Sequence, residues 1–349
     1  VENVIFFMGS NVKERVELIT RNLQEVIPCE EDLKKLLSEK EEISIYWGTM
    51  PTGSISIAYF FPMLKIADFL NAGCKVKILI ADLHAALDSV AWEELEKRFD
   101  YYKEAILTML KTIGVDAKKL EFIKGSEMQL KPEYMYDMLQ LSTLTSIRDA
   151  KKAASEVVKQ IENPKLSGLV YPLMQVLDEE YLNVDIQFGG MDQRKIMVYA
   201  REVLPKIGYK SRIELINPLI RGLVGEKMSS SIENTKIDLM EDEKVVCKKI
   251  NKADCVSGNP DNGIMALLEY LTFVIKKDKN EKFIIERPEK YGGNLEYSNY
   301  EEVKKDFIDG KLHPLDLKNG VSSEINKLLS NFRNSEELKK LHEIAYGKK

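Results

Sequence analysis

Cysteine and histidine are scarce in this chain, with four of the first and three of the second among 349 residues. Cys29, Cys74, Cys247 and Cys255 show no CxxC or other zinc-ligand spacing. Three histidines cannot complete a ligand set, so a structural metal and a disulfide framework are both disfavoured, and a reducing compartment is the natural reading. Long hydrophobic runs are missing too. No stretch approaches the ~20 apolar residues that span a bilayer, and the opening VENVIFFMGSNVKERVELI lacks the flank and cleavage site of a signal peptide. The expectation is a cytoplasmic chain without a membrane partner. Glycine (19) and proline (11) are few beside 44% hydrophobic and 31% charged residues, the mix of an ordered, helix-rich protein of about two domains. A large positive surplus is also lacking. The net charge is −5, with 30 basic against 35 acidic residues in 1–235 and 21 of each in 236–349, so charge alone does not establish a polyanion site.

What is present is alternation. After the amphipathic EEDLKKLLSEK (30–40), short apolar runs at 43–48 and 75–81 alternate with helical periods at 56–72 and 92–113. That pattern predicts βαβ units, a doubly wound parallel sheet, and ligands at the carboxyl ends of its strands. LEFI (120–123), VDIQF (184–188) and IELI (213–216) extend the sheet, and a long helical stretch from about 133 to 161 reads as an insertion suited to a dimer or partner surface, with a homodimer expected. Past RGLVGEKMSSSIENTK (221–236) helix periods dominate. The expected organisation is a Rossmann-like domain over 1–236, with N-terminal helices and a helical insertion near 130–165, followed by an α-helical domain over 237–349.

Three local patterns bear chemistry. The first strand ends in Gly48-Thr49-Met50-Pro51-Thr52-Gly53 directly before a helix, an arrangement whose free N–H groups favour phosphate, although glycine-rich βα turns also serve as plain connections. Lys227-Met228-Ser229-Ser230-Ser231, after Gly222 and Gly225, offers an ammonium and three hydroxyls. A given five-residue string arises by chance on the order of once in 10⁴ such chains. On YPLMQVLDEEY, Tyr171, Gln175 and Asp178 share one helix face, which by itself also fits a partly solvated polar stripe. Gly189-Gly190-Met191-Asp192-Gln193-Arg194-Lys195 then supplies a second strand-to-helix turn. His84, at an apolar strand end, reads as a packed wall residue rather than a general base. No Ser-His-Asp arrangement or hydrolytic carboxylate pair accompanies it.

These residues converge on a family. YWGTMPTG, KIADFLNAGC, ADLHA, YPLMQVLDEEYL, FGGMDQRK, KMSSS and HPLDLKN resemble, in order and spacing, the tyrosyl-tRNA synthetases of archaeal and eukaryotic type, which are class I aminoacyl-tRNA synthetases. The resemblance implies that Tyr46 and Asp178 bond the substrate phenol, while Tyr171, Gln175 and Gln193 hold its ammonium group. It assigns Gly48, Thr49, Gly190 and Asp192 to ATP, with Asp192 toward the ribose, and Lys227 with Ser229 and Ser230 to the triphosphate. Tyr291, His313 and Asp316 match anticodon contacts. Arg194 and Lys195 resemble residues near the acceptor end of tRNA, with Lys151 and Lys152 as further tRNA candidates. The family's His-X-Ala-Tyr signature reads Ser56-Ile57-Ala58-Tyr59, so a hydroxyl stands where an imidazole would meet the phosphates, and Tyr59 keeps its place.

The implied reaction is ATP-dependent activation of tyrosine to its adenylate and transfer to tRNA(Tyr), with Mg2+ accompanying ATP and no protein-ligated metal. A tryptophan-specific sister enzyme is opposed by Asp178, which would face an indole without the phenol it is placed to meet. A non-catalytic RNA-binding module that retains the fold finds support only in Ser56.

Overall fold

The computed structural model describes residues 11–157, 165–223 and 236–347. As far as described, they form two compact units. One gathers Val1–Thr52, Lys65–Lys103 and Gly114–Leu219; the other gathers Gly53–Leu64, Glu104–Ile113 and Ile220–Lys349.

The strands are β1 (Glu25–Ile27), β2 (Ser44–Thr49), β3 (Lys75–Ile80), β4 (Leu120–Lys124), β5 (Ile186–Gly190), β6 (Ile213–Asn217), β7 (Phe283–Ile285) and β8 (Leu295–Tyr297). Helices α1 to α8 are Val12–Thr20, Glu30–Glu39, Phe60–Asn71, Asp82–Leu87, Trp92–Ile113, Gly125–Gln129, Pro132–Leu144 and Ile147–Ala153. Helices α9 to α16 are Ser167–Tyr181, Arg194–Val203, Glu243–Lys252, Gly263–Leu267, Phe273–Asp278, Tyr300–Ile308, Pro314–Arg333 and Glu336–Tyr346.

The first unit is built on a six-stranded sheet of order β1-β6-β5-β2-β3-β4. Only β1 runs antiparallel, against β6; the β6-β5, β5-β2, β2-β3 and β3-β4 pairs are parallel. Ile45, Val76, Ile78, Ile186, Phe188 and Leu215 are buried, the β-branched and aromatic filling that a sheet covered by helices on its faces demands. From β2 the chain winds outward to β3 and β4, then returns to the other side of β2 for β5 and β6. The carboxyl ends of β2 and β5 therefore meet where the winding reverses, which is where such folds bind ligands. The fold is a Rossmann-like α/β domain followed by C-terminal helices.

Each expected strand is present within two residues or so, and α5 covers 92–113 as read. Two local features differ from the reading. The stretch from 133 is not one helix, because Ser146 accepts from the Asp149 N–H and caps a new helix, α8, after α7 has ended. The edge strand β1 went unread because three half-buried residues carry no alternation to detect.

In the second unit α15 buries Leu317, Val321, Ile325, Leu329 and Phe332. A Cβ on its Gly320 would stand 2.9 Å from the Phe283 ring, so glycine lets the β7-β8 ribbon approach the helix. Residues 53–59 also belong to this unit: Ile57 N–H donates to Ile237 O (2.8 Å) and Leu239 N–H to Ile55 O (3.1 Å), while Tyr346 donates to Gly53 O (2.8 Å). Phe60 meets Phe332 edge-on at 5.9 Å.

Candidate functional site

At the reversal point, Gly48 and Thr49 end β2 and Gly190 ends β5. Thr49 O accepts from Ala81 N–H (2.8 Å), which fixes the strand end against β3. A Cβ on Gly190 would lie 2.7 Å from Asp192 Oδ1, and one on Gly189 would lie 2.6 Å from Met197 Cε. Bare backbone thus leaves the Asp192 and Met197 side chains their present positions where this turn enters α10. Arg98 on α5 donates to Pro51 O (2.9 Å) and Thr52 O (2.7 Å), pinning the loop that follows β2.

Below these turns, α9 carries Tyr171, Gln175 and Asp178. Tyr46 and Tyr171 lie in one buried cluster with Tyr134, Leu173, Met174 and Leu177. Asp178 is 1% exposed. Its Oδ1 accepts from Gln129 Nε2 (2.8 Å) and from the Tyr134 hydroxyl (2.9 Å), and that hydroxyl also reaches Met174 O (2.7 Å). Burial pushes the Asp178 carboxyl up to about 7, against the two hydrogen bonds that pull it down. The same desolvation raises the Tyr46 and Tyr171 phenols, so both hydroxyls keep their protons. Gln175 Nε2 donates to Gln193 Oε1 (3.1 Å), joining α9 to the turn after β5.

His84 is buried, packs edge-on against Tyr171 at 4.7 Å and is held by burial down to about 4. It is a neutral wall, as its setting in the sequence suggests.

Ser56 and Tyr59 belong to the second unit. Ser56 is buried and bridges to Asp238. Gly225, Lys227, Ser229, Ser230 and Ser231 lie outside the described residues. Also in the second unit, Tyr291 is 64% exposed beside Lys290, whose Nζ stands 4.8 Å over the ring. His313 caps α15, its Nδ1 accepting from Leu315 N–H (3.1 Å), and Asp316 on the first turn faces Arg287 Nη1 at 3.6 Å. Of the remaining candidates, Arg194 pairs bidentately with Glu25 (2.5 and 2.7 Å) and Lys195 with Glu156 (2.6 Å). Lys151 and Lys152 are exposed on the last turn of α8.

A family model described as tRNA synthetases class I (W and Y) matches residues 38–330. The cytoplasmic tyrosine–tRNA ligase of Gallus gallus is 52% identical over 344 residues, covering 97% of this chain and 64% of that protein. The corresponding Saccharomyces cerevisiae ligase is 48% identical over 345 residues, 95% of this chain and 88% of that one. The chain belongs to the class I tyrosyl-tRNA synthetases. Tyrosyl-tRNA synthetase from Archaeoglobus fulgidus, solved with L-tyrosine, matches at TM-score 0.84 and 37% identity, covering 95% of this chain and 99% of that one. The chain spans 64% of the length of the Gallus gallus relative.

Several residues beside the expected set had no signal in sequence. Gln129 and Tyr134 reach Asp178 from α6 and α7, 49 and 44 residues away. Gln187 stands next to Tyr46 from β5. None of them shares a helix face or a motif with Tyr171, Gln175 and Asp178, and only the folded chain brings them to the site.

Proposed function

We propose that the chain activates tyrosine with ATP and transfers it to tRNA(Tyr) in the cytoplasm. The observation that carries this is the buried Asp178 carboxyl, bonded by Gln129 and Tyr134 beside Tyr46, in a chain 48% identical to a tyrosine–tRNA ligase. A buried acid without a charged partner suits a neutral ligand hydroxyl. Tyr46 and Asp178 bond the phenol, and Tyr171, Gln175 and Gln193 hold the ammonium group. ATP enters as its magnesium complex over Gly48, Thr49, Gly190 and Asp192, with Ser56, Tyr59, Lys227, Ser229 and Ser230 on its phosphates.

In the first step the tyrosine carboxylate attacks the α-phosphorus in line, a C–O–P bond forms, and the bond to the β-phosphate oxygen breaks to release pyrophosphate. A hydroxyl of the terminal tRNA ribose then attacks the carbonyl carbon and AMP leaves. No protein nucleophile is needed, so catalysis is positioning and charge stabilisation. Residues 1–236 carry activation and 237–349 the anticodon contacts Tyr291, His313 and Asp316. Arg194, Lys195, Lys151 and Lys152 approach the acceptor end.

A homodimer is supported by Met135, Tyr136, Leu139 and Ile147, exposed on α7 and α8, since contiguous apolar surface on a folded chain marks an interface. Sedimentation of the full chain tests it.

ATP/pyrophosphate exchange measured with each proteinogenic amino acid tests the activity, and exchange restricted to tyrosine is expected. Lys227→Ala is expected to slow adenylate formation by roughly 10²–10³, the scale of one preorganised donor, with tyrosine affinity little changed. Equal loss in both would move the loop to the amino-acid site.

A further inference from the structure

Between the end of β2 and the start of α3 the backbone is held by groups distant in sequence. Arg98 donates to the carbonyls of Pro51 and Thr52, Tyr346 to that of Gly53 at 2.8 Å, and Leu239 N–H to that of Ile55 at 3.1 Å. Ser56 bridges to Asp238, and Ile57 N–H donates to Ile237 O at 2.8 Å. The hold on Gly53 and Ser54 comes from one helix, α16. That helix is capped by Ser335, whose Oγ accepts from Leu338 N–H (3.2 Å), and it buries Leu338 and Ala345. His342 and Tyr346, four residues apart, stand beside that stripe on neighbouring turns, with ring centroids 5.5 Å apart. His342 Nε2 lies 3.0 Å from Ser54 Oγ, and the Tyr346 hydroxyl takes the adjacent Gly53 carbonyl.

We propose that His342 and Tyr346 are positioning residues for the use of ATP: by holding Gly53 and Ser54 they set the path of the chain into Ser56 and Tyr59. This rests on the assignment of Ser56 and Tyr59 to the phosphates of ATP.

Reach is the reason the hold matters. A serine hydroxyl stands on a single carbon, so the backbone beneath Ser56 decides where it points. Tyr59 N–H donates to Ser56 O (3.0 Å), and a shift at the start of the segment therefore carries to both residues. Where reacting groups are held for an in-line attack, a displacement of about 1 Å costs up to about 10²-fold in rate. The packing of α16 itself rests on Leu338 and Ala345. Either polar bond can be removed without unseating the helix.

The test is tyrosine-dependent ATP/pyrophosphate exchange on the full chain and its Tyr346→Phe, His342→Ala, His342→Gln and Ser54→Ala variants, with KM taken separately for ATP and tyrosine. Tyr346→Phe and His342→Ala are expected to lower kcat/KM for ATP about fivefold, the scale of one neutral hydrogen bond, with KM for tyrosine and Tm at wild-type values. His342→Gln keeps a polar group near the Nε2 position and is expected to restore most of the loss. Ser54→Ala should match His342→Ala, and the two combined should be no worse than either alone, because both remove the same bond. Unchanged kcat/KM for ATP in variants that melt like wild type overturns the proposal, as does an equal loss for tyrosine. Reduced tRNA charging with exchange intact also overturns it and assigns α16 to tRNA. If a helix variant melts early, Ser54→Ala, which leaves α16 untouched, decides by the same split between ATP and tyrosine. Wild-type protein without tyrosine-dependent exchange refutes the proposed activity and this inference with it.

Discussion

Asp178 is a single buried acid that bears on stability and, in the proposed site, on selection. Its carboxyl stands at about 7 in the fold against 3.8 ordinarily, so between those values the folded chain binds more protons than the unfolded one. Stability from this group is therefore lost as pH rises from about 4 to about 7, and the deficit is constant above that. The span corresponds to roughly 4 kcal/mol as an upper figure. Asp178→Asn is expected to raise Tm at pH 8 and leave it nearly unchanged at pH 4. A Tm difference independent of pH would show that packing rather than ionisation is responsible. The same variant should accept phenylalanine better relative to tyrosine. Sites built around a substrate hydroxyl reject the analogue lacking it by roughly 10⁴–10⁵, a figure established on a tyrosyl-tRNA synthetase and borrowed from it. Discrimination that survives the substitution would remove Asp178 from the phenol. Asp178, Tyr171 and Gln175 were legible in the sequence because they share a helix face and a motif. Gln129, Tyr134 and Gln187 were not, since they share neither that face nor a motif, and a polar residue announces nothing until a neighbour from elsewhere in the chain reaches it.

Among the elements, the turn from β5 into α10 sets two glycines against side chains of the residues that follow them. Gly190 was legible as a strand-to-helix glycine, but its reason was not: the missing Cβ leaves room for the Asp192 carboxylate, whose Oδ1 would otherwise stand 2.7 Å from it. Gly190→Ala should displace Asp192 and raise KM for ATP about tenfold, the scale of one hydrogen bond to a charged group, while KM for tyrosine changes little. A matching rise for tyrosine would place the turn at the amino acid instead. The strands β2 to β6 were readable because buried parallel strands are short, mostly apolar runs set off from the helical periods around them. The attachment of residues 53–59 to Ile237, Leu239 and Tyr346 was not, because each of these hydrogen bonds engages the backbone of 53–59, which leaves no mark on residue type.

For the whole molecule, activation and tRNA charging should separate by variant. Tyr291 is largely exposed and Lys290 stacks its ammonium over the ring, so its removal disturbs little of the fold. Single-stranded bases are read by stacking on such rings, and one lost stacking partner is worth roughly 1–3 kcal/mol. Asp316 and His313 are less clean probes. Asp316 faces Arg287, which also holds Gly293 O at 3.0 Å, and His313 caps α15, a contact whose loss costs about 1 kcal/mol. Tyr291→Ala is therefore expected to reduce tRNA charging about 5- to 150-fold, the same range expressed as a rate ratio, with tyrosine-dependent pyrophosphate exchange and Tm at wild-type values. His313→Ala should lower Tm slightly in addition. Charging, exchange and melting measured on one preparation distinguish the two effects, and a parallel fall of charging and exchange in Tyr291→Ala would remove this residue from the anticodon.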